Sequence, residues 1–362
     1  MKILWLANIP SPYRMDFFNL LGKYCDLTVL FEKKSSSERD DSWKNFKVEN
    51  FKAVFLNGIH KGVAEAVCPS VVLHLEKNKY DHIVVTNFSD PTGIIATTYM
   101  KMRNIPYEIE SDGAFPGSGA GVKEKIKKII ISGATRYFST ASIHDQYYLC
   151  YGAKKDQIKR YPFSSMKKNE VSEKPITIEE KQIFKSQLGI KEDKVILAVG
   201  QFIHRKGYDI LLKAALKTDR NYGIYIIGGK APDSYRSFVL KNRLDNIHFI
   251  EFKPKNELSN FYKCADLFVH PTREDIWGLV INEAVSYGLP VITTDRCVAG
   301  LEMIDSNCGK IIKSESIKQL ASAITTCLSN NYNFYKITDI AKKYTIDEMV
   351  QTHLRIWKNG RE

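Results

Sequence analysis

The stretch DLFVHPTREDIWGLVINEAVSYGLPVITTD, residues 266–295, decides the fold. DLFVHP is a short apolar run closed by a proline, the pattern of a buried strand. GLVINEAVSYG has the apolar spacing of a helix that starts and ends at a glycine, and LPVITTD reads as a second strand. Strand, helix and strand in this order form one crossover unit, so the two strands are expected to lie parallel in a sheet covered by helices. The pattern extends toward the N-terminus. DKVILAVGQ, YGIYIIGGK and NIHFIEF read as strands of the same series, and YDILLKAAL and ELSNFYKCA as helices.

The start of the chain repeats the theme. MKILWLANIP is a strand entering a Pro/Ser turn, residues 15–23 have helical spacing, and CDLTVLF is the next strand. YDHIVVTN and IPYEIESDG flank a helix predicted over 92–103. MKKNEVSEKPITIEE (166–180) is polar and charged and contains a proline, the composition of an interdomain linker. The expected division is therefore an N-terminal α/β domain over 1–165, a linker over 166–180, a C-terminal α/β domain over 181–339, and a helical segment over 340–362. Met349, Leu354, Ile356 and Trp357 are the apolar anchors of that last segment.

At 362 residues the chain has the length of two such domains, and 44% hydrophobic with 26% charged residues is a globular composition. No apolar run approaches the roughly 18 to 20 residues a membrane span needs, and the N-terminus lacks the pattern of a signal peptide, so a cytoplasmic location is expected. Seven cysteines, scattered and never paired as CxxC, point to reduced thiols rather than disulfides or a zinc site. The formal charge of +12 calls for an anionic partner.

The chemistry concentrates between Asp275 and Gly288. Gly278 opens a helix whose first amides, at Gly278, Leu279 and Val280, point forward unpaired, an arrangement that favours a phosphate. Glu283 lies roughly 7 to 8 Å along the axis, at about 1.5 Å per residue, and Asp275 precedes the helix. Two acids flanking an anion site suit a nucleotide sugar, with one carboxylate for sugar hydroxyls and the other for ribose hydroxyls. Taken alone, Asp275 is equally a helix cap and Glu283 a solvated carboxylate.

The segment closely resembles the signature of family 4 glycosyltransferases, in which an acid, seven residues, a glutamate, an alanine and a Gly-x-Pro-Val turn follow one another. Here Asp275 stands where the family usually has Glu. VGQFIHRKGYDILLKAA (199–215) resembles the strand, loop and Lys-Gly pair that bind the donor diphosphate. That implies Lys206 as the point charge on the leaving phosphate, with Gln201 in place of the usual Arg and Arg205 beside it. YIIGGK resembles the glycine turn near the nucleotide, with Gly228 in it, and FIEFKPKNELSNFYKCADLFV resembles the loop near the base, with Lys253 in it. The resemblance implies the GT-B class: two facing Rossmann-like domains, donor held by the second and acceptor by the first, the last helix crossing back to the first. It also implies retention at the anomeric carbon, with no cofactor and no metal.

Over residues 1–165 the resemblance rests on pattern alone. In NIPSPYR, Tyr13 and Arg14 are candidate phosphate or acceptor contacts; a proline-ordered turn with a surface arginine is the other reading. YEIESDGAF falls where relatives have a strand ending in His-Asp, so Ser111 replaces the histidine and Asp112 becomes the candidate polar group near the reacting sugar. GVKEKIKKIIISGA places Lys123, Lys125, Lys127 and Lys128 around Val122, Ile126, Ile129 and Ile130, a basic amphipathic face suited to an anionic membrane surface or to plain solvation. Catalytic candidates are thus Asp112, Lys206 and Asp275. The expected reaction transfers a sugar from a nucleotide sugar, taken as UDP-linked, to a saccharide or polyprenyl-linked glycan in cell-surface polysaccharide synthesis of the capsular or exopolysaccharide type, at the inner face of the membrane. The alternatives are a nucleotide-sugar 2-epimerase on the same fold and a non-catalytic partner subunit. No nucleic-acid reader motif is present, and no such partner is expected.

Overall fold

The computed structural model describes residues 1–34, 46–61, 65–117 and 121–359. The chain divides into two compact units, Met1–Ser165 with Thr345–Glu362, and Met166–Tyr344.

The first unit runs β1 (Lys2–Ala7), α1 (Pro12–Leu21), β2 (Asp26–Phe31), β3 (Lys52–Phe55), β4 (Ile59–Lys61), β5 (Glu65–Val67), β6 (His82–Val85), α2 (Pro91–Met102), β7 (Glu108–Glu110), α3 (Val122–Ile131), β8 (Arg136–Ser139), α4 (Ser142–Cys150) and β9 (Ile158–Arg160). Among the described residues, its main sheet has the order β3-β2-β1-β6-β7-β8-β9 and every neighbouring pair is parallel. β4 and β5 form a separate antiparallel pair. Strand β1 is apolar without alternation because it is covered on both faces, and Ile3, Leu4 and Trp5 are fully buried.

The second unit runs α5 (Ile178–Leu188), β10 (Lys194–Val199), α6 (Tyr208–Ala215), β11 (Tyr222–Ile227), α7 (Asp233–Lys241), β12 (Ile247–Ile250), α8 (Lys255–Cys264), β13 (Leu267–His270), α9 (Leu279–Ser286), β14 (Val291–Thr294), α10 (Val298–Met303), β15 (Gly309–Ile312), α11 (Ile317–Ser329) and α12 (Phe334–Ala341). Its sheet has the order β12-β11-β10-β13-β14-β15, again parallel throughout. This is the doubly wound, Rossmann-like order. It reverses direction between β10 and β13, the switch point at which the loops leaving these two neighbouring strands lie side by side.

The stretch 166–180, linker-like in composition, is bound to the second unit over its first half, residues 166–172. Met166 is fully buried, the Ser172 amide donates to Ser286 O (2.9 Å), and Lys255 pairs with Glu170 (2.6 Å). Glu170 makes a surface pair and the Ser172 amide is tied down, so polarity there does not mean a free tether. The helical segment expected over 340–362 is two pieces: α12 stays in the second unit, and α13 (Ile346–Asn359) packs in the first. Met349, Val350 and Trp357 of α13 are fully buried, and the Trp357 ring lies 5.1 Å from His82 and 6.3 Å from Trp5.

Candidate functional site

In the second unit the loops after β10 and β13 are stitched together by backbone. Gly207 has φ +69°, and a Cβ there would lie 2.1 Å from Pro271 O, so a glycine is required for the loops to touch. The Arg273 amide and the Thr272 hydroxyl both donate to Arg205 O (2.8 and 2.9 Å). The Arg273 guanidinium then grips His204 O (2.7 Å) and both oxygens of Asp209 (2.8 and 2.9 Å). This clamp holds the turn that carries Arg205 and Lys206.

Asp275 is 7% exposed and is the hub of the site. Its Oδ2 accepts from Lys206 Nζ (2.6 Å) and His270 Nε2 (2.9 Å), and its Oδ1 from Arg205 Nη1 (3.3 Å). Burial pushes the Asp275 carboxyl up, but His270 and Lys206 outweigh it and hold the group well below the usual carboxylate range. Burial, reinforced by Lys206, pushes the His270 imidazole down, so the ring is neutral with its one proton on Nε2 facing Asp275. His270 Nδ1 is buried with no partner among the described residues. Lys206⁺ and Arg205⁺ against Asp275⁻ leave one net positive charge in this cluster, the sign a diphosphate requires.

Gly278 has φ +106° and starts α9; a Cβ there would lie 2.8 Å from Cys297 Sγ. The preceding turn is pinned by Asp275 N–H to Arg296 O (2.8 Å) and Ala299 N–H to Trp277 O (2.9 Å). Among the described residues no acceptor meets the Leu279 and Val280 amides, as the helix start predicts. Glu283 is half-buried and accepts from the Tyr262 hydroxyl (2.8 Å), whose ring stacks on Tyr287 at 5.1 Å. Gly228 sits under Gly200, where a Cβ would meet its oxygen at 1.8 Å. Gln201 is exposed, and Lys253 pairs with Glu257 (3.0 Å) on α8. Arg205, Lys206, His270 and Asp275 are thus one cluster, and Lys253 lies outside it.

In the first unit, the turn expected to carry Tyr13 and Arg14 is already helix. Pro12 occupies the first turn of α1, where its fixed φ and missing N–H cost nothing. Arg14 is buried and donates to Glu110 and to Asp112 Oδ1 (2.5 Å), while the Tyr13 hydroxyl donates to Asp112 Oδ2 (3.1 Å). Beside them His144 Nε2 lies 2.9 Å from Ser111 Oγ. The Thr140 amide donates to His144 Nδ1 (3.2 Å), which places the ring proton on Nε2. Burial lowers the His144 imidazole to about 3, so this ring donates to Ser111 and cannot take its proton. Ser111 Oγ in turn meets Tyr148 Oη (3.3 Å), which donates to Phe138 O (3.2 Å).

Residues 180–346 match the family described as glycosyl transferases group 1. This chain has just under half of its residues in that match. It is 30% identical to the lipopolysaccharide glucosyltransferase WaaG of Escherichia coli (strain K12) over 158 residues, 42% of each protein. It is 29% identical to the D-inositol 3-phosphate glycosyltransferase of Corynebacterium aurimucosum over 157 residues, 40% of this chain and 37% of that one. The matches thus span less than half of these relatives. Among solved structures, Anabaena Alr3699/HepE in complex with UDP superimposes with a TM-score of 0.78 at 14% identity, covering 99% of this chain and 100% of that one. A glycosyltransferase from Rickettsia africae ESF-5 follows at 0.75 and 16%, covering 99% and 98%. At such identities the likeness establishes the GT-B fold over the whole chain.

Reading the sequence missed three contributors. His270 is a strand-end histidine that sequence alone leaves without a role, yet it is a hydrogen-bond donor to Asp275. Arg273 carried no signal beyond standing next to the acidic pair. Glu110 had one: in EIE two charges stand at i and i+2 of a strand that parallel pairing buries on both faces, and such charges need partners.

Proposed function

We propose that the chain is a retaining glycosyltransferase that takes a UDP-linked sugar as donor and a saccharide or polyprenyl-linked glycan as acceptor in cell-surface polysaccharide synthesis. The observation that carries this reading is the Lys206–Asp275–Arg205 cluster beside the open start of α9. In the reaction the acceptor oxygen bonds to the anomeric carbon, the bond from that carbon to the phosphate oxygen breaks, and the acceptor's proton leaves toward the phosphate. Lys206 supplies positive charge where the leaving diphosphate gathers negative charge, and the amides of Leu279 and Val280 supply dipoles. Glu283 takes the ribose hydroxyls, Asp275 the sugar, and Asp112 a place beside the reacting carbon.

The surface that would reach a lipid-linked acceptor is α3. Ile131 is buried and Glu124 half-buried on one side of the helix, whereas Val122, Ile126 and Ile129 are 73, 50 and 70% exposed on the other. Lys125 and Lys128 flank that apolar stripe on one edge, Lys123 and Lys127 on the other, the layout of a helix lying in an anionic interface at the inner face of the membrane. No described helix is long and apolar enough to cross a bilayer.

Thermal-shift measurements against UDP, UDP-glucose, UDP-galactose, UDP-N-acetylglucosamine and the matching GDP sugars test the proposal. Selective stabilisation, about 2.7 kcal/mol at a hundred times Kd, is expected for one UDP sugar. No response to any nucleotide overturns it, and release of an isomerised nucleotide sugar without an acceptor reassigns the chain to epimerisation.

A further inference from the structure

Strand β7 reads EIE, so Glu108 and Glu110 share one face of the sheet and Ile109 takes the other. The two glutamates are 4% and 0% exposed. Each is met by an arginine, Arg136 on Glu108 and Arg14 on Glu110. Each is also met by a donor from α13: Trp357 Nε1 on Glu108 Oε2 (2.8 Å) and His353 Nε2 on Glu110 Oε2 (2.8 Å). Residues 353 and 357 stand one turn apart on the helix face that lies against β7. His353 Nδ1 faces Met349 O (2.8 Å), and its ring stacks on Phe138 at 4.4 Å, so the imidazole has one orientation.

We infer that His353 is a positioning residue for Asp112, acting through Glu110 and Arg14; the inference rests on the proposed place of Asp112 beside the reacting sugar. The guanidinium of Arg14 is a rigid plane, with Nη1 on Glu110 and Nη2 on Asp112. Where Glu110 sits therefore fixes where Nη2 points, and Nη2 with the Tyr13 hydroxyl fixes the Asp112 carboxylate. Burial pushes the Glu110 carboxyl up, but Arg14 and His353 outweigh it and keep the group ionised. With no donor on Oε2, a fully buried carboxylate draws on the donors left to it, and Arg14 is the one in contact. Satisfying Glu110 then pulls Nη2 away from Asp112. Trp357 makes the equivalent bond to Glu108, whose other partners, Arg136 and His82, do not reach Asp112, so it serves as an internal control.

The test compares full-length wild type with His353→Gln, His353→Asn, Trp357→Phe and Asp112→Asn. A glutamine amide reaches the Nε2 position and an asparagine amide only the Nδ1 position. UDP affinity is read by calorimetry, and turnover as UDP released from whichever of UDP-glucose, UDP-galactose and UDP-N-acetylglucosamine stabilises the protein most. Expected are UDP affinities within about twofold throughout, kcat lowered about tenfold or more in His353→Asn and Asp112→Asn with donor KM little changed, and most of the rate retained in His353→Gln. Trp357→Phe is expected to lower the melting temperature and leave kcat within about twofold. Equal loss of kcat in His353→Asn and Trp357→Phe overturns the inference, because the helix then acts only as a scaffold. So does full turnover in His353→Asn beside an inactive Asp112→Asn. Wild type that binds no UDP sinks the glycosyl-transfer reading itself; wild type that turns over while Asp112→Asn is unaffected sinks this inference alone.

Discussion

Replacing Lys206 by methionine keeps the length of the side chain and removes its charge, which isolates the worth of the ion pair at the centre of the site. The ammonium lies 2.6 Å from Asp275 Oδ2, with side-chain exposures of 13% and 10%. At an effective dielectric of about 20 the gross attraction at that distance is about 6 kcal/mol, and much of it offsets the desolvation of the two ions. Removing one partner leaves the other buried with a neutral His270 and a longer contact to Arg205, and such losses cost about 3 to 5 kcal/mol. Arg205 is half exposed and can move closer, so the lower end, about 3 kcal/mol, is expected. For a unit of roughly 180 residues that is a fall in melting temperature of about 6 to 12 °C. Calorimetry and urea unfolding at pH 7 read the effect, and Asp275→Asn closes the cycle. Because the double variant has no buried charge to strand, it should regain about 2 kcal/mol relative to the sum of the singles. Single and double variants that add within about 0.5 kcal/mol would show that the pair carries no energy, and the view of Asp275 as the hub of this site would be wrong.

Glycines 207 and 189 share nearly the same φ, +69° and +68°, but only at Gly207 would a Cβ strike backbone, so the pair separates strain from loop contact. Gly189→Ala should cost about 1 kcal/mol in urea unfolding, the price of the left-handed conformation, and Gly207→Ala about 3 or more with loss of UDP binding; equal costs would refute the stitched loops. In the first unit, burial and then Asp90 push the Glu32 carboxyl up to about 7 from 4.5. A raised carboxyl contributes stability that is full below about 4.5 and lost as pH rises through about 7, so wild type should lose about 3 kcal/mol between pH 4.5 and 8. Glu32→Gln should flatten that window in urea unfolding, and an unchanged slope would refute the assignment. Exchanging Lys123, Lys125, Lys127 and Lys128 for glutamine should weaken sedimentation with phosphatidylglycerol vesicles about a hundredfold or more, at about 1 kcal/mol per lysine, and unchanged binding would remove α3 from the interface.

Both parallel sheets were legible because strands buried on two faces read as continuous apolar runs, and glycine and proline punctuate them. The order around residues 266–295 followed from one crossover unit. What stayed hidden depends on residues distant in sequence. Glu110 and His353 are 243 positions apart, and nothing local at either marks the other. Arg14 read as a turn residue because NIPSPYR is rich in turn formers, yet Pro12 is equally a helix opener, and tertiary burial decides between the two. Composition placed the 166–180 stretch at the change of unit, but composition reports side-chain polarity and not whether the backbone finds partners, as that of Ser172 does. The departure at Gln201 reads differently with the structure in view: Gln201 is exposed, and Arg205 is the arginine that reaches the acidic hub.

The shorter acid at position 275 has a mechanical consequence. An ionised carboxylate offers about four acceptor positions, and three donors already point at Asp275. On the proposed function, a sugar hydroxyl that takes Oδ2 competes with Lys206 and His270, which already fill its two acceptor positions, whereas Oδ1 keeps one open beside Arg205. A diphosphate competes from the other side, because it draws on the same ammonium. For a hydroxyl that takes Oδ2, phosphate binding would free the position it needs, and the two halves of a nucleotide sugar would assist one another through one lysine. UDP alone should gain little from that exchange, since it breaks the Lys206–Asp275 pair without refilling Oδ2, whereas a UDP sugar refills it. The affinity ratio between UDP sugar and UDP should accordingly be about tenfold or more in wild type and persist in Lys206→Met, where Oδ2 is already open to the hydroxyl, while both affinities fall with the lost charge on the phosphates. Calorimetric titration of both ligands into both proteins decides the point. A ratio that collapses toward unity with the loss of Lys206 would mean that the lysine, and not Asp275, carries the sugar contact.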